Sequence, residues 1–62
     1  MIVNTKLRDK RRKLLLTQAD VAKSAKISER AYQRYEAGDC IPSVATAKMI
    51  ARALNSTVEE LF

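Results

Sequence analysis

Four long polar side chains are predicted to share one side of a short helix between residues 28 and 37. At roughly 100° per residue, an arc of about 140° on this helix holds Glu29, Arg30, Gln33 and Arg34. An arginine can donate two hydrogen bonds to guanine, and a glutamate can accept one from the amino group of cytosine or adenine. The row is therefore suited to contact base edges in the major groove of DNA. The alternative is an ordinary amphipathic helix whose polar face is simply solvated.

Two short helices joined by about three residues would position this row. They are predicted at about 17–24 and 28–37. Thr17 can cap the first helix, with Asp20 completing a weak capping box, and Ser28 can cap the second. This arrangement describes a helix-turn-helix at about 17–37, whose second helix enters the major groove. The residues expected to pack between the two helices are Val21, Ala22, Ala25, Ile27, Tyr32 and Tyr35.

Three further helices complete an all-α prediction, since no stretch of the chain alternates with the period of a strand. The first runs from about Thr5 to Leu14 after an N-cap at Asn4, and the fourth runs from a cap at Ser43 to Leu54. A last short helix follows a capping box formed by Thr57 and Glu60, and Gly38 ends the third helix. The predicted inner faces are Leu7, Arg11 and Leu14 in the first helix and Val44, Ala47, Ile50, Ala51 and Leu54 in the fourth. Without a linker, residues 1–62 are expected to form a single domain.

Composition narrows the possible functions. The chain has 62 residues and a net charge of +5, with ten basic and three acidic side chains in residues 1–34 against two and four in residues 35–62. The basic half suggests a polyanionic partner, with DNA ahead of an anionic membrane surface. The absence of His and the single Cys40 exclude a zinc site and His-based catalysis, and no cofactor or small-molecule substrate is evident. We expect a cytoplasmic, non-enzymatic protein without a membrane span or signal peptide.

The segment "TQADVAKSAKISERAYQRYEAGDCIPS", followed by "MIARALNSTVEELF", resembles the phage repressor and Cro (Xre-type) DNA-binding domain. The resemblance covers nearly the whole chain. It implies a five-helix, lambda-repressor-like fold and sequence-specific binding of double-stranded DNA for transcriptional regulation. It also implies a homodimer on paired half-sites, because one short helix reads few bases. Apolar candidates for the dimer contact are Met49 and Phe62, although Phe62 could instead close the core.

The resemblance also assigns roles to individual residues. The base-reading positions of the family fall on Glu29, Arg30 and Arg34, flanked by Ser28 and Gln33. An acidic residue at a helix N-terminus is favourable without DNA, so Glu29 has a purely structural alternative. The resemblance implies that Gln18 contacts phosphate and steadies the recognition helix. Because the loop before Pro42 lacks the basic residues that the family often has there, we expect further phosphate contacts at Lys10, Lys13, Lys26 and Ser43, the last through the N–H groups at the start of the fourth helix.

Two departures from the family concern its usual glycines, which are replaced here by Leu15 and Lys26. If the backbone is left-handed at either position, a residue other than glycine costs about 1 kcal/mol. The alternative is that the loops differ from those of the family. In addition, the loop before Pro42 is often basic in the family, whereas here it reads Asp39-Cys40-Ile41.

Two charged residues interrupt apolar stripes. Arg11 lies between Leu7 and Leu14, and Glu36 lies beside Tyr32. A charge on a core face needs a partner, so we expect these two side chains to pair in a structural role, as the resemblance also implies.

An alternative to DNA binding as the main function is that of an antitoxin or accessory subunit, which would act mainly through contacts with another protein.

Overall fold

The computed structural model describes residues 3–62, and these form an all-helical fold. The five helices are α1 (Thr5–Lys13), α2 (Gln18–Ala25), α3 (Glu29–Ala37), α4 (Val44–Ala53) and α5 (Val58–Leu61). No strand occurs in this part of the chain. The predicted five-helix, all-α class is therefore confirmed, with boundaries that differ from the predicted ones by at most one residue.

Every helix begins at a polar residue whose side chain satisfies a free backbone N–H group of the first turn. The five N-caps accept from the N–H three residues further on, and they are Asn4, Thr17, Ser28, Ser43 and Thr57. At Thr57 the predicted capping box is only half formed. The Glu60 carboxylate accepts from the Thr57 hydroxyl at 3.3 Å, whereas a complete box would use the Thr57 backbone N–H.

Within residues 3–62, four turns place a residue in the left-handed region, and only one of them uses glycine. Gly38 ends α3 with φ of 81°, whereas Leu15, Lys26 and Asn55 have φ of 59°, 59° and 51°. The backbone is thus left-handed at both positions where the family usually has glycine, so the loops have not been rearranged to avoid this conformation. Leu15 and Lys26 each carry a conformational cost of about 1 kcal/mol.

One hydrophobic core holds the helices together, with α2 packed against both α3 and α4. Ala22 and Ala25 are buried on α2, and their small side chains let the neighbouring helices approach closely. Further contacts join α1 with α3, α1 with α5 and α4 with α5. The fully buried large side chains are Tyr32, Leu7, Ile50, Leu54 and Val21.

Two predicted core residues are wrong, and both lie at a helix end. Leu14 is 39% exposed because the chain leaves α1 there, and Leu16 packs against the core instead. Val44 is 70% exposed at the first position of α4. On a helix wheel, Val44 lies about 70° from the middle of the stripe formed by the other predicted core positions of α4, so only the later turns face the core.

Asn4 joins three helices that are distant in sequence. Its backbone N–H donates to the Glu36 carbonyl at the end of α3 (3.0 Å). Its side-chain amide donates to the Leu61 carbonyl in α5 (2.8 Å), and its side-chain oxygen accepts from Leu7 N–H in α1 (3.0 Å). One residue therefore ties the start of the described chain to its last helix.

Candidate nucleic-acid interface

The first helix of the helix-turn-helix begins at a complete capping box. Thr17 Oγ1 accepts from the backbone N–H of Asp20 (3.0 Å), and Asp20 Oδ2 accepts from the backbone N–H of Thr17 (2.9 Å). The hydrogen bonds from Thr17 lower the pKa of the exposed Asp20 carboxyl below its ordinary value. The start of α2 is thus fixed by local contacts, as the sequence predicts.

The turn between α2 and α3 is fixed by the left-handed Lys26. This conformation lets the Ile27 N–H donate to the Ala22 carbonyl (3.0 Å), which closes the end of α2. Ser28 then caps α3 by accepting from the Ala31 N–H at 3.1 Å. The path of the backbone through the turn therefore sets the direction of α3, and the Lys26 side chain remains exposed.

The two sides of α3 differ completely in exposure. On the inner side, Tyr32 is fully buried and Glu36 is 5% exposed. All five predicted base-contacting side chains are exposed, namely Ser28, Glu29, Arg30, Gln33 and Arg34. Four of these residues lie within one arc of the exposed side of α3 and Ser28 is its N-cap; we call the five together the outer face of α3.

Two residues of the outer face are bonded to each other. Gln33 Nε2 donates to Glu29 Oε2 at 3.2 Å, across one turn of the helix. Among residues 3–62, the ion pairs are Arg8 with Asp9 and Arg11 with Glu36. Neither arginine of the outer face is neutralised by a carboxylate of the described chain, so both guanidinium groups are free to meet a polyanion.

Beneath the outer face, Arg11 and Glu36 form a two-pronged ion pair. Arg11 Nε donates to Glu36 Oε2 and Arg11 Nη2 donates to Glu36 Oε1, both at 2.9 Å. The third donor, Arg11 Nη1, reaches the Leu16 carbonyl at 2.9 Å. The contact expected from the sequence is thus present, and it fixes α3 both to α1 and to the loop that precedes α2.

Gln18 extends this network to the first residue of α2. Its Nε2 donates to Glu36 Oε1 of α3 at 3.3 Å; the sequence analysis expected Gln18 to steady this helix but did not name the partner. The pairing of residues 18 positions apart is a product of tertiary packing, so helical periodicity carries no signal for it. Gln18 was expected to contact phosphate, and the second hydrogen of its amide is left for that purpose in a side chain that is only half-buried.

The charges of the network stabilise each other. Burial is the largest single influence on the pKa of Glu36 and raises it, but the hydrogen bonds and charge of Arg11, together with Tyr32 and Gln18, outweigh burial and hold that pKa below its ordinary value. The hydrogen bond to Glu36 raises the pKa of Arg11. Burial also raises the pKa of Tyr32, whose hydroxyl makes no well-aligned hydrogen bond within the described chain. Tyr32 therefore lowers the pKa of Glu36 only by lying close to the carboxylate, and less strongly than Arg11 does.

The other predicted phosphate contacts are spread over three elements. Lys13 is exposed at the end of α1, Lys10 is half-buried one turn earlier, and Lys26 is exposed in the turn. Ser43 is exposed before α4, but its hydroxyl accepts from Thr46 N–H at 3.2 Å and lies 3.1 Å from Thr46 Oγ1. A phosphate at that point would therefore meet the backbone N–H groups of α4 rather than a free hydroxyl.

The sequence analysis also missed an open apolar groove of about 470 Å³. It lies where the start of α1, the loop after α3 and α5 meet, and its apolar lining includes Val3, Tyr35, Cys40, Ile41, Leu61 and Phe62. Ile41 is 87% exposed and Phe62 is 40% exposed. Ile41 lies in a loop, where hydrophobic periodicity gives no information about exposure.

None of the helices described over residues 3–62 is long and apolar enough to cross a membrane.

Comparison with known proteins agrees with this geometry. A family model described as helix-turn-helix matches residues 7–61, which is most of the chain. The chain therefore belongs to this helix-turn-helix family, a family of DNA-binding transcription regulators of the Xre type. The expected resemblance is thus confirmed.

A solved structure shows how closely the fold is shared. The chain is similar to the restriction-modification controller protein C.AhdI from Aeromonas hydrophila, with a TM-score of 0.89 and 25% sequence identity. The match covers 95% of this chain and 89% of that chain. A search of curated proteins by sequence gave no match.

Proposed function

We propose that this chain binds double-stranded DNA sequence-specifically, with α3 as the recognition helix in the major groove. Through this binding it would regulate transcription in the manner of a phage repressor or Cro protein. The observation that carries the proposal is the outer face of α3, where long hydrogen-bonding side chains are exposed together on a helix whose other side is buried. Membership of a family of DNA-binding regulators supports it.

The chemistry of the outer face suggests a role for each side chain. Arg30 and Arg34 would donate to guanine O6 and N7, and Glu29 would accept from a base amino group. Ser28 and Gln33 flank these positions and can donate or accept. Because the outer face takes no part in the core, its residues are free to determine the base sequence without changing the fold.

Contacts with phosphate would hold α3 in register on the duplex. We assign them to Gln18, Lys10, Lys13, Lys26 and the backbone at Ser43. Gln18 is the best placed of these, because its bond to Glu36 fixes the amide beside α3. Each neutralised phosphate should steepen the loss of affinity with salt by about 0.9 log units per log unit of salt.

We also propose that two copies bind paired half-sites. The described chain measures 25 × 21 × 21 Å, so two copies side by side would place their α3 helices at a separation of the same order as one turn of DNA, about 34 Å. The apolar groove lies beside the C-terminal end of α3, where a second copy could cover Ile41 and Phe62. Of the two dimer candidates, Phe62 fits this groove, whereas Met49 is half-buried against the core.

Selection of bound duplexes from a random pool tests the DNA-binding proposal. We expect a pair of inverted half-sites, with binding that weakens as salt rises. Arg34→Ala should abolish the preference at one position in each half-site. Arg52→Ala, which removes an equal charge from the exposed end of α4, is the matched control and should leave the preference intact. Failure to enrich any sequence would contradict the proposal.

Sedimentation of two variants tests the dimer. Ile41→Ser removes an exposed apolar side chain from the groove, and Val44→Ser removes one of similar exposure from outside its lining. We expect only Ile41→Ser to shift the protein towards monomer, whereas Val44→Ser should sediment like wild type. Equal sedimentation of the two variants would place the dimer contact elsewhere.

A cytoplasmic location stays a prediction from the sequence.

A further inference from the structure

The outer face of α3 divides into two parallel stripes with opposite hydrogen-bonding character. Glu29 and Gln33 are four residues apart and form one stripe, and Arg30 and Arg34, also four apart, form the other. The first stripe is closed on itself by the 3.2 Å bond from Gln33 Nε2 to Glu29 Oε2. The second stripe consists of donors alone, because a guanidinium group has no acceptor.

The bond determines what the first stripe can offer to a base. A glutamine side chain is normally ambivalent, since its amide both donates and accepts. Here one amide hydrogen is used by Glu29, which leaves two free oxygens, one on Gln33 and one on Glu29, against a single free amide hydrogen. The pair therefore presents mainly acceptors, side by side, next to a stripe of donors.

We propose that Glu29 and Gln33 act as one reading unit that selects a base bearing an amino group, cytosine or adenine. In the major groove only these two bases present a donor, whereas guanine and thymine present acceptors that a carboxylate repels. A G·C pair would satisfy both stripes, with guanine towards an arginine and cytosine towards the acceptor pair. This inference rests on the proposed function, and it specifies which bases that function recognises.

The same bond has a second effect on the outer face. An unheld carboxylate at Glu29 would be free to swing towards the neighbouring arginines and neutralise part of their charge. The hydrogen bond from Gln33 holds it across one helical turn, and no ion pair joins it to an arginine within residues 3–62. Gln33 is thus a positioning residue for Glu29 as well as a contact in its own right.

A double-mutant cycle with base selection tests the inference. Glu29→Ala, Gln33→Ala and the double variant would each be measured on the site selected by the wild-type protein, and each would be used to select sites anew. We expect each single variant to lose about tenfold in affinity and to relax the same cytosine or adenine position. If the pair acts as a unit, the double variant should also lose about tenfold rather than a hundredfold.

Two controls separate this inference from the proposed function. Glu59→Ala removes an exposed carboxylate from α5, and therefore reproduces the charge change of Glu29→Ala without touching the outer face. It should not change base preference. The reading unit would be wrong if the affinity losses of the two single variants multiplied in the double variant, or if the two variants relaxed base preference at different positions. If Arg34→Ala still lowered specific affinity in that case, the proposed function would stand. If the wild-type protein selected no sequence, the proposed function would fail as well.

Discussion

The two sides of α3 are built on opposite principles. On the inner side, Glu36 is 5% exposed and meets three donors, from Arg11 and Gln18, at distances of 2.9 to 3.3 Å. On the outer side, Arg30 and Arg34 are exposed and have no carboxylate partner in the described chain. The charges of one side are satisfied within the molecule, and those of the other are available to a partner.

This difference separates stability from recognition within nine residues. A buried ion pair is sensitive to the loss of either partner, because the remaining charge is stranded away from water. An exposed arginine contributes little to folding, because water solvates it equally well in the folded and unfolded chain. Substitutions on the inner side should therefore alter stability, and those on the outer side should alter binding.

The largest effect is expected from breaking the inner pair. Arg11→Met should lower the free energy of unfolding by about 3–5 kcal/mol, because Glu36 is then buried without its counter-ion. Replacing both residues with Met should cost much less. Urea denaturation measures both effects, with the exposed Arg12→Met as a control that should behave like wild type. An unchanged melting temperature for Arg11→Met would show that this ion pair does not stabilise the fold, and would contradict the contrast between the two sides of α3.

Acid should weaken the same pair without a mutation. The pKa of Glu36 lies below its ordinary value of 4.5 in the folded chain, so the unfolded chain takes up the proton first as the pH falls. The stabilisation is thus complete above about pH 4.5 and is lost as the pH falls through the folded pKa. Melting temperatures between pH 7 and 2 should fall more steeply for wild type than for the double Met variant. Parallel curves would assign the acid sensitivity to other carboxylates.

An intermediate effect is expected on the outer side. Arg30→Ala and Arg34→Ala should each weaken binding to the selected site by about 1–3 kcal/mol, with less effect on random DNA. Urea denaturation should show no change in stability for either variant. Arg34→Lys sharpens the test, because lysine keeps the charge and loses the planar two-pronged donor. Unchanged base preference in the Lys variant would indicate that Arg34 contacts phosphate.

The smallest effect concerns the left-handed turns, which belong to neither side of α3. Leu15→Gly should stabilise the protein by up to about 1 kcal/mol, because glycine adopts the φ of 59° without strain. The leucine side chain is 89% exposed, so its removal sacrifices almost no burial. Leu14→Gly is the matched control: its φ is −87°, and it should destabilise. Stabilisation by both variants, or by neither, would contradict the argument from backbone strain.

Local features were the most predictable from the sequence. The caps at Thr17 and Ser28 and the stop at Gly38 depend on contacts within three or four residues, so residue type and spacing suffice to identify them. The pairing of Arg11 with Glu36 was also accessible, because a charge in an apolar stripe demands a partner and few candidates exist. The class of the fold followed from the same periodicity.

Features that depend on the path of the chain could not be predicted. Leu14 and Val44 were assigned to the core from a helix wheel. A wheel shows neither where a helix ends nor which of its turns face the core. The contact of Gln18 with Glu36 and the exposure of Ile41 depend on how helices and loops meet, which spacing does not encode. Glu29 and Gln33 are spaced suitably for a hydrogen bond, but a helix wheel shows only that they lie on the same face and not which atoms bond.

The three hydrogen bonds of Asn4 have a consequence for how the molecule opens. Since this residue contacts α1, α3 and α5 together, the four-residue α5 cannot come loose without giving up its bond to Asn4, the N-cap of α1. A helix so short is not stable alone in water, so it depends on this bond and on the burial of Leu61. Hydrogen exchange should therefore find the amide protons of α5 nearly as protected as those of α1, as parts of one cooperative unit. Asn4→Ala should release α5 into fast local exchange.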